Sequence, residues 1–296
     1  MSPDTKHGAA SSDRAPPARP DWTIDQGWDN YTAEEHAVWN ILFERQAKLL
    51  PRRACDAFVA GMRDLPIDAR QIPDFRRLTE VLARRTGWQV VAVPGLVPDD
   101  VFFGHLANRR FPAGQFIRRR DQLDYLEEPD VFHDVFGHVP MLMNPVIADY
   151  MQAYGIGGLK ALRLGALPNL ARVYWYTVEF GLVEQPDGLR IYGSGIVSSY
   201  TESIFALDDP SPNRLRFDLG RVMRTGYRID DFQETYFVLR ELDDLLELAK
   251  IDFTPLYDRV RHEPELSPSE ILPGDHVITR GTGGYHAARR LMRQRA

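Results

Sequence analysis

A single cysteine, Cys55, stands in a chain of 296 residues. One thiol forms no internal disulfide and no cysteine-based zinc cage, so a reducing, cytoplasmic setting is the expectation. Apolar runs are short as well. None approaches the ~18 residues that a membrane span needs, and the opening MSPDTKHGAASSDRAPPARP lacks the apolar segment of a secretory signal. A surplus of positive charge is missing too: acids outnumber bases 42 to 36, which removes the global basic footprint of a nucleic-acid binder. No internal repeat or linker interrupts residues 21–260.

What is present is the composition of an ordinary globular protein, 44% apolar and 26% charged. One domain is expected over residues 21–265, after a leader at 1–20 and before a tail at 266–296 that is Gly-rich and then basic. The tail lacks the sustained heptads of an assembly coiled coil, so a monomer is expected.

Helical patterning dominates. YTAEEHAVWNILFERQAKLL carries a capping box at Thr32 and Glu35, and IPDFRRLTEVLARRTG places Phe75, Leu78, Val81 and Leu82 on one face before Gly87. VFFGHLANRRF reads as helix. NPVIADYMQAYG predicts a helix capped by Asn144, with Pro145 at its first position and Gly155 as its stop. NLARVYWYTVEFGL reads as a buried helix and ELDDLLELAK as the final one, while WQVVAVPG, LRIYGSGIV and TYFVL are short strand candidates. The fold class is mainly α with a few short β-strands.

Three features carry chemistry. In NLARVYWYTVEFGL the one acid among apolar neighbours is Glu179, and a buried carboxylate needs a cation, a hydrogen-bond network or a metal. In PDVFHDVFGHVP, His133 and His138 stand five apart, which on an unbroken α-helix turns them about 140° from one another. Gly137 would let the helix end there and bring both rings to one side. Two imidazoles and a carboxylate suit a non-heme iron site, and also catalytic zinc; the absent HExxH spacing favours iron. In GQFIRRRD, Arg118 would point away from Arg119 on a strand and hold a carboxylate bidentately, with Asp130 to orient it. VPGLVPDDVFF reads as a turn leading into a helix.

PDVFHDVFGHVP, YWYTVEFGL and IYGSGIVSS, taken in order, resemble the tetrahydropterin-dependent aromatic amino acid hydroxylases, most closely their bacterial phenylalanine 4-monooxygenase branch, over roughly residues 28–260. The resemblance implies the single-domain catalytic fold of that family and one Fe(II) on His133, His138 and Glu179. It implies a tetrahydropterin co-substrate on Phe102 and the backbone of Gly95, Leu96 and Val97, with Asp134 near it. It further implies an L-phenylalanine pocket formed by Arg118, Pro129, Trp175 and Ser198. Iron and pterin would together reduce O2 for attack on the ring. Trp175 stands where tryptophan hydroxylases of the family carry phenylalanine, and Ile229 where tyrosine hydroxylases carry an acid, so phenylalanine is the implied substrate. No nucleic acid, membrane or protein partner is expected. The other readings are a tyrosine or tryptophan hydroxylase of the same family, a mononuclear zinc hydrolase, and a helical binding protein whose histidines are structural.

Overall fold

The computed structural model describes residues 19–124, 126 and 128–293. All but the last two residues of the expected leader lie outside this range. The helices are α1 (Ala33–Leu49), α2 (Asp56–Asp64), α3 (Phe75–Arg85), α4 (Asp99–Ala107), α5 (Pro145–Leu164), α6 (Leu167–Tyr174), α7 (Ser194–Val197), α8 (Tyr200–Asp208), α9 (Leu219–Val222), α10 (Asp244–Lys250), α11 (Thr254–Val260) and α12 (Gly284–Arg293). The strands are β1 (Gln89–Val93), β2 (Arg110–Gly114), β3 (Leu182–Gln185), β4 (Gly188–Ile191), β5 (Asn213–Arg216), β6 (Thr235–Leu239) and β7 (Val277–Thr279). β1 and β2 form a parallel pair; the others form a mixed sheet in the order β4-β3-β6-β5-β7. Helix dominates, as the patterning predicts.

Local signals explain many boundaries. The Thr32 hydroxyl accepts the Glu35 N–H while the Glu35 carboxylate accepts that of Thr32 at 2.7 Å, so both arms of the capping box close at the start of α1. Asn144 caps α5 through the N–H groups of Val146 and Ile147.

Other boundaries move. Helix α5 does not stop at Gly155 but runs to Leu164, with Gly165 (φ 63°) as its cap. A Cβ on Gly155 would stand 2.3 Å from the Ala107 nitrogen, and one on Gly158 would stand 2.1 Å from the Phe103 ring. These glycines therefore serve close packing of α4 on α5, not chain reversal. LRIYGSGIV is strand only to Ile191, after which the chain turns into α7. At the turn, a Cβ on Gly193 would meet the Glu179 carbonyl oxygen at 2.4 Å. ELDDLLELAK forms α10 but is not the last helix: α11 and α12 follow. Within residues 266–296, β7 pairs antiparallel with β5, and His286 of α12 is buried.

The apolar core is one cluster running from Ile24 to Val260, with Trp39, Trp88, Phe132 and Phe136 fully buried. Cys55 belongs to it, and burial pushes its thiol up to about 11, so it stays an unreactive thiol at neutral pH.

Candidate metal centre

The chain from Phe132 to His138 is a π turn rather than a helix that ends at Gly137. This corrects the expected mechanism. A π turn closes i→i+5 hydrogen bonds, so residues five apart come round to the same side, where an α-helix would separate them. Packing holds the wide turn in place. Phe132 stacks on Phe136 (4.8 Å between centroids), and Trp39 meets Phe132 edge-on at 5.3 Å, which commits one side of the turn to the core. Gly137 lies against α7, where a Cβ would come within 3.0 Å of the Ser194 carbonyl oxygen.

A second π turn, Trp175–Glu179, interrupts the expected helix NLARVYWYTVEFGL after Tyr174 and aims Glu179 at the same point. The Nε2 atoms of His133 and His138 lie 3.3 Å apart. Glu179 Oε1 is 3.2 Å from His138 Nε2, and Oε2 is 3.6 Å from His133 Nε2. Ligands on one divalent ion with bonds of about 2.1 Å are about 3.0–3.4 Å apart. The triangle therefore fits a single metal ion with its remaining positions open.

The surroundings fix each donor. Ser198 donates to the Ser194 carbonyl at 2.7 Å, which leaves its oxygen to accept from His133 Nδ1 at 3.0 Å. The proton thus sits on Nδ1 and the Nε2 lone pair is bare. Burial pushes the His133 imidazole down to about 4, so it is neutral at pH 7. Burial works against ionisation of Glu179. His138, His133 and the Ser194 hydroxyl outweigh it and hold the carboxyl at about 2, the single Ser194 proton being shared between Oε2 at 3.0 Å and the Val178 carbonyl at 2.9 Å. Asp134 also brings an oxygen within 4.8 Å of both imidazoles. Asp134 Oδ2 already accepts the Gly114 N–H at 2.8 Å, whereas Glu179 turns both its oxygens to the imidazoles at 3.2 and 3.6 Å and completes the triangle. Burial raises the Asp134 carboxyl to about 7, against the pull of that hydrogen bond.

The remaining sequence-predicted residues fall around this centre to different depths. Arg118 lies outside any strand, yet the expected division holds: its side chain is 10% exposed against 69% for Arg119. Its Nε and Nη2 grip Asp130 at 2.8 and 2.9 Å, and its Nη1 makes only a long contact, 3.5 Å, to the Leu123 carbonyl. Asp130 is fully buried and also accepts the N–H of His133 at 3.0 Å, so one carboxylate ties Arg118 to the metal turn. Pro129 and Asp134 both flank Gly114. Phe102, on α4, meets Tyr174 edge-on, and Tyr174 in turn lies nearly parallel to the His138 ring at 6.4 Å. Gly95, Leu96 and Val97 form the turn ahead of α4, with Leu96 exposed. Ile229, by contrast, is 72% exposed.

Sequence reasoning missed Ser194, Tyr174 and Gln233. The available signal for Ser194 was its place between two glycines: a Cβ on Gly195 would stand 3.2 Å from Glu179 Oε2. Gln233 had no signal. Trp175 donates to its Oε1 at 2.9 Å while stacking on Tyr227 at 4.3 Å. The Gln233 backbone N–H is in turn held by buried Glu202, which also accepts from the Tyr236 hydroxyl.

Burial pushes Glu202 up to about 7 from 4.5 despite those two donors. The folded chain therefore binds more protons than the unfolded one between these values, and stability falls as pH rises through that window. Glu202→Gln is expected to raise Tm at pH 8 by roughly 2–6 °C and to change it little at pH 4. Equal shifts at both pH values in thermal melts would show that the charge plays no part.

Residues 28–265 match the family model described as biopterin-dependent aromatic amino acid hydroxylase. The chain is 64% identical over 282 residues to the phenylalanine-4-hydroxylase of Caulobacter vibrioides, covering 95% of this chain and 96% of that one. It is 60% identical over 264 residues to that of Ralstonia nicotianae, covering 89% and 84%. A crystal structure of phenylalanine hydroxylase from Chromobacterium violaceum with iron and phenylalanine bound superposes with a TM-score of 0.84 at 56% identity, covering 88% of this chain and 94% of that one.

Proposed function

The chain belongs to the biopterin-dependent aromatic amino acid hydroxylases, and from that premise we propose that it converts L-phenylalanine to L-tyrosine with O2 and a tetrahydropterin at one Fe(II) held by His133, His138 and Glu179. The observation that carries this reading is the triangle of donor atoms, 3.2–3.6 Å on a side, contributed by two separate π turns. Bound there, iron together with a reduced pterin supplies the electrons that O2 needs before it can react with a closed-shell aromatic ring.

The protein's own residues do the rest. Ser198 keeps the His133 lone pair turned to the metal position, and Ser194 holds the Glu179 carboxylate. Arg118, steadied by Asp130, offers its Nη1/Nη2 edge to the carboxylate of the amino acid, while Pro129 and Trp175 wall the side-chain pocket. Phe102 and the turn Gly95–Val97 take the pterin ring and its polar edge, with Asp134 close to it. The core packing of Phe132, Phe136 and Trp39 keeps bulk water from the back of the site.

Family membership sets aside the binding-protein reading. Iron against zinc and phenylalanine against its relatives are decided by one experiment: anaerobic reconstitution with Fe(II), then product analysis with phenylalanine, tyrosine and tryptophan in competition. Tyrosine is the expected main product. Full zinc occupancy with no pterin-dependent O2 uptake would overturn the proposal.

Arg118→Lys is expected to raise the KM for the amino acid about tenfold or more while changing that for the pterin little, because a two-point contact to a charged group is lost. Steady-state kinetics with each co-substrate varied in turn measures this. Equal changes in both constants would remove Arg118 from substrate binding.

A further inference from the structure

A cleft of about 540 Å3 lies where the turn after α1, strand β4, the end of α8 and strands β5 and β7 meet. Its wall carries Arg52, Arg53, Arg190 and Arg214 against the single carboxylate of Asp208. In a chain of net charge −6 this is a local excess of three positive charges, four less one.

Little inside the protein neutralises that excess. Among the described residues only Arg53 holds a carboxylate closely, its two Nη atoms on Asp208 at 3.0 and 2.6 Å, while Arg190 Nη1 donates to the backbone carbonyl of Leu189 at 2.9 Å. Arg190 reaches Asp187 only at 4.0 Å, and the Asp187 side chain is 91% exposed. Arg52 has no carboxylate within 4.0 Å among the described residues, and its backbone is left-handed at φ 67°, a conformation that a bulky residue keeps only where its surroundings impose it. They do so here. The Ile191 N–H donates to the Arg53 carbonyl at 2.8 Å and the Cys55 N–H to the Ile191 carbonyl at 2.8 Å, which locks the turn to β4 as one wall.

Arg214 is the strongest sign. It is 4% exposed, and its Nε and Nη2 donate to the backbone carbonyls of Ala206 and Asp209 at 2.8 and 2.9 Å. Among the described residues no carboxylate approaches it within 4.0 Å, and its Nη1 makes no hydrogen bond to the protein, which leaves that nitrogen for solvent or a ligand in the cleft. A guanidinium does not shed its charge at physiological pH, and a buried charge without a counter-ion is costly. An anion in the cleft would meet it.

We propose that this cleft binds a phosphate-bearing small molecule, with Arg52, Arg190 and Arg214 on the phosphate and Leu189 and Leu207 against the remainder of the ligand. Several guanidinium groups lining one cleft suit the three or more oxygens of a phosphate better than the two of a carboxylate. The volume exceeds what a bare anion needs and falls in the range of small-molecule pockets, about 300–1,000 Å3.

The test uses the iron-loaded full chain at constant ionic strength, with adenosine monophosphate as the probe and adenosine and succinate as comparisons, followed by titration calorimetry. Adenosine monophosphate is expected to bind saturably at one site, at least about tenfold more tightly than either comparison. The double variant Arg52→Ala/Arg190→Ala is expected to weaken it about tenfold or more while hydroxylation without the probe is unchanged. Arg214→Gln is expected to weaken it as well. Because Arg214 also caps α8, the double variant decides the matter should Arg214→Gln fail to fold. No saturation at millimolar probe, unchanged affinity in the double variant, or equal binding of adenosine or succinate would each overturn the proposal.

Discussion

His133→Ala is expected to lose its iron and its hydroxylase activity while keeping its fold. On the proposed reading, three donors 3.2–3.6 Å apart would hold the ion jointly. Removal of one leaves two, and metal affinity falls by well over the 10–100-fold that loss of a supporting hydrogen bond costs. Metal analysis of the purified variant should find less than about a tenth of the wild-type iron, with turnover down at least 100-fold and the circular dichroism of the wild type. A linked result is expected from chelation. An ion that binds only the folded state at 100 times its dissociation constant adds about 2.7 kcal/mol, so stripping the wild-type protein should lower its Tm by roughly 5–10 °C. His133→Ala should not respond to the chelator. If instead the variant retained iron but melted early, the histidine would be a structural group and the metal centre would lie elsewhere.

Asp130→Ala is expected to be the most destabilising single change near the site. The carboxylate is fully buried and accepts from the Arg118 N–H, Nε and Nη2 and from the His133 N–H. Truncating it strands a nearly buried guanidinium and two backbone donors. Breaking a buried pair from one side costs about 3–5 kcal/mol, which at roughly 2–4 °C per kcal/mol is a fall of roughly 6–20 °C in Tm. The origin of the loss can be separated. Arg118→Met with Asp130→Leu removes both charges and should recover a substantial part of the stability, though none of the affinity for the amino acid. A double variant no more stable than Asp130→Ala would mean that the stranded charge is not the cause.

The chemistry of the site was legible because its residues are chemically unlike their neighbours. Glu179 is the lone acid in an apolar segment, and His133 and His138 stand in a stretch that otherwise reads as core. Arg118 was separable from Arg119 only by assuming a strand, and the right division followed although the strand is absent. The supporting groups were less visible. Ser194 and Gln233 are ordinary polar residues whose importance comes from what they face, and facing is not written along the chain. Gly155 read as a stop because a glycine near the end of a helical pattern has two meanings, reversal or close approach, and only the neighbouring α4 selects between them.

The amino-acid sequence by itself determined the helical class, the capped start of α1 and the family, and it singled out His133, His138 and Glu179 as the three candidate donors, since each depends on residue type and short-range spacing. The tertiary structure decided how those donors meet. A five-residue spacing contradicts an α-helix, and the contradiction is resolved by a π turn whose other side is buried by Trp39, Phe132 and Phe136 and whose Gly137 is pressed against α7. Local propensity has no term for that turn, because its stability comes from partners far away in the chain.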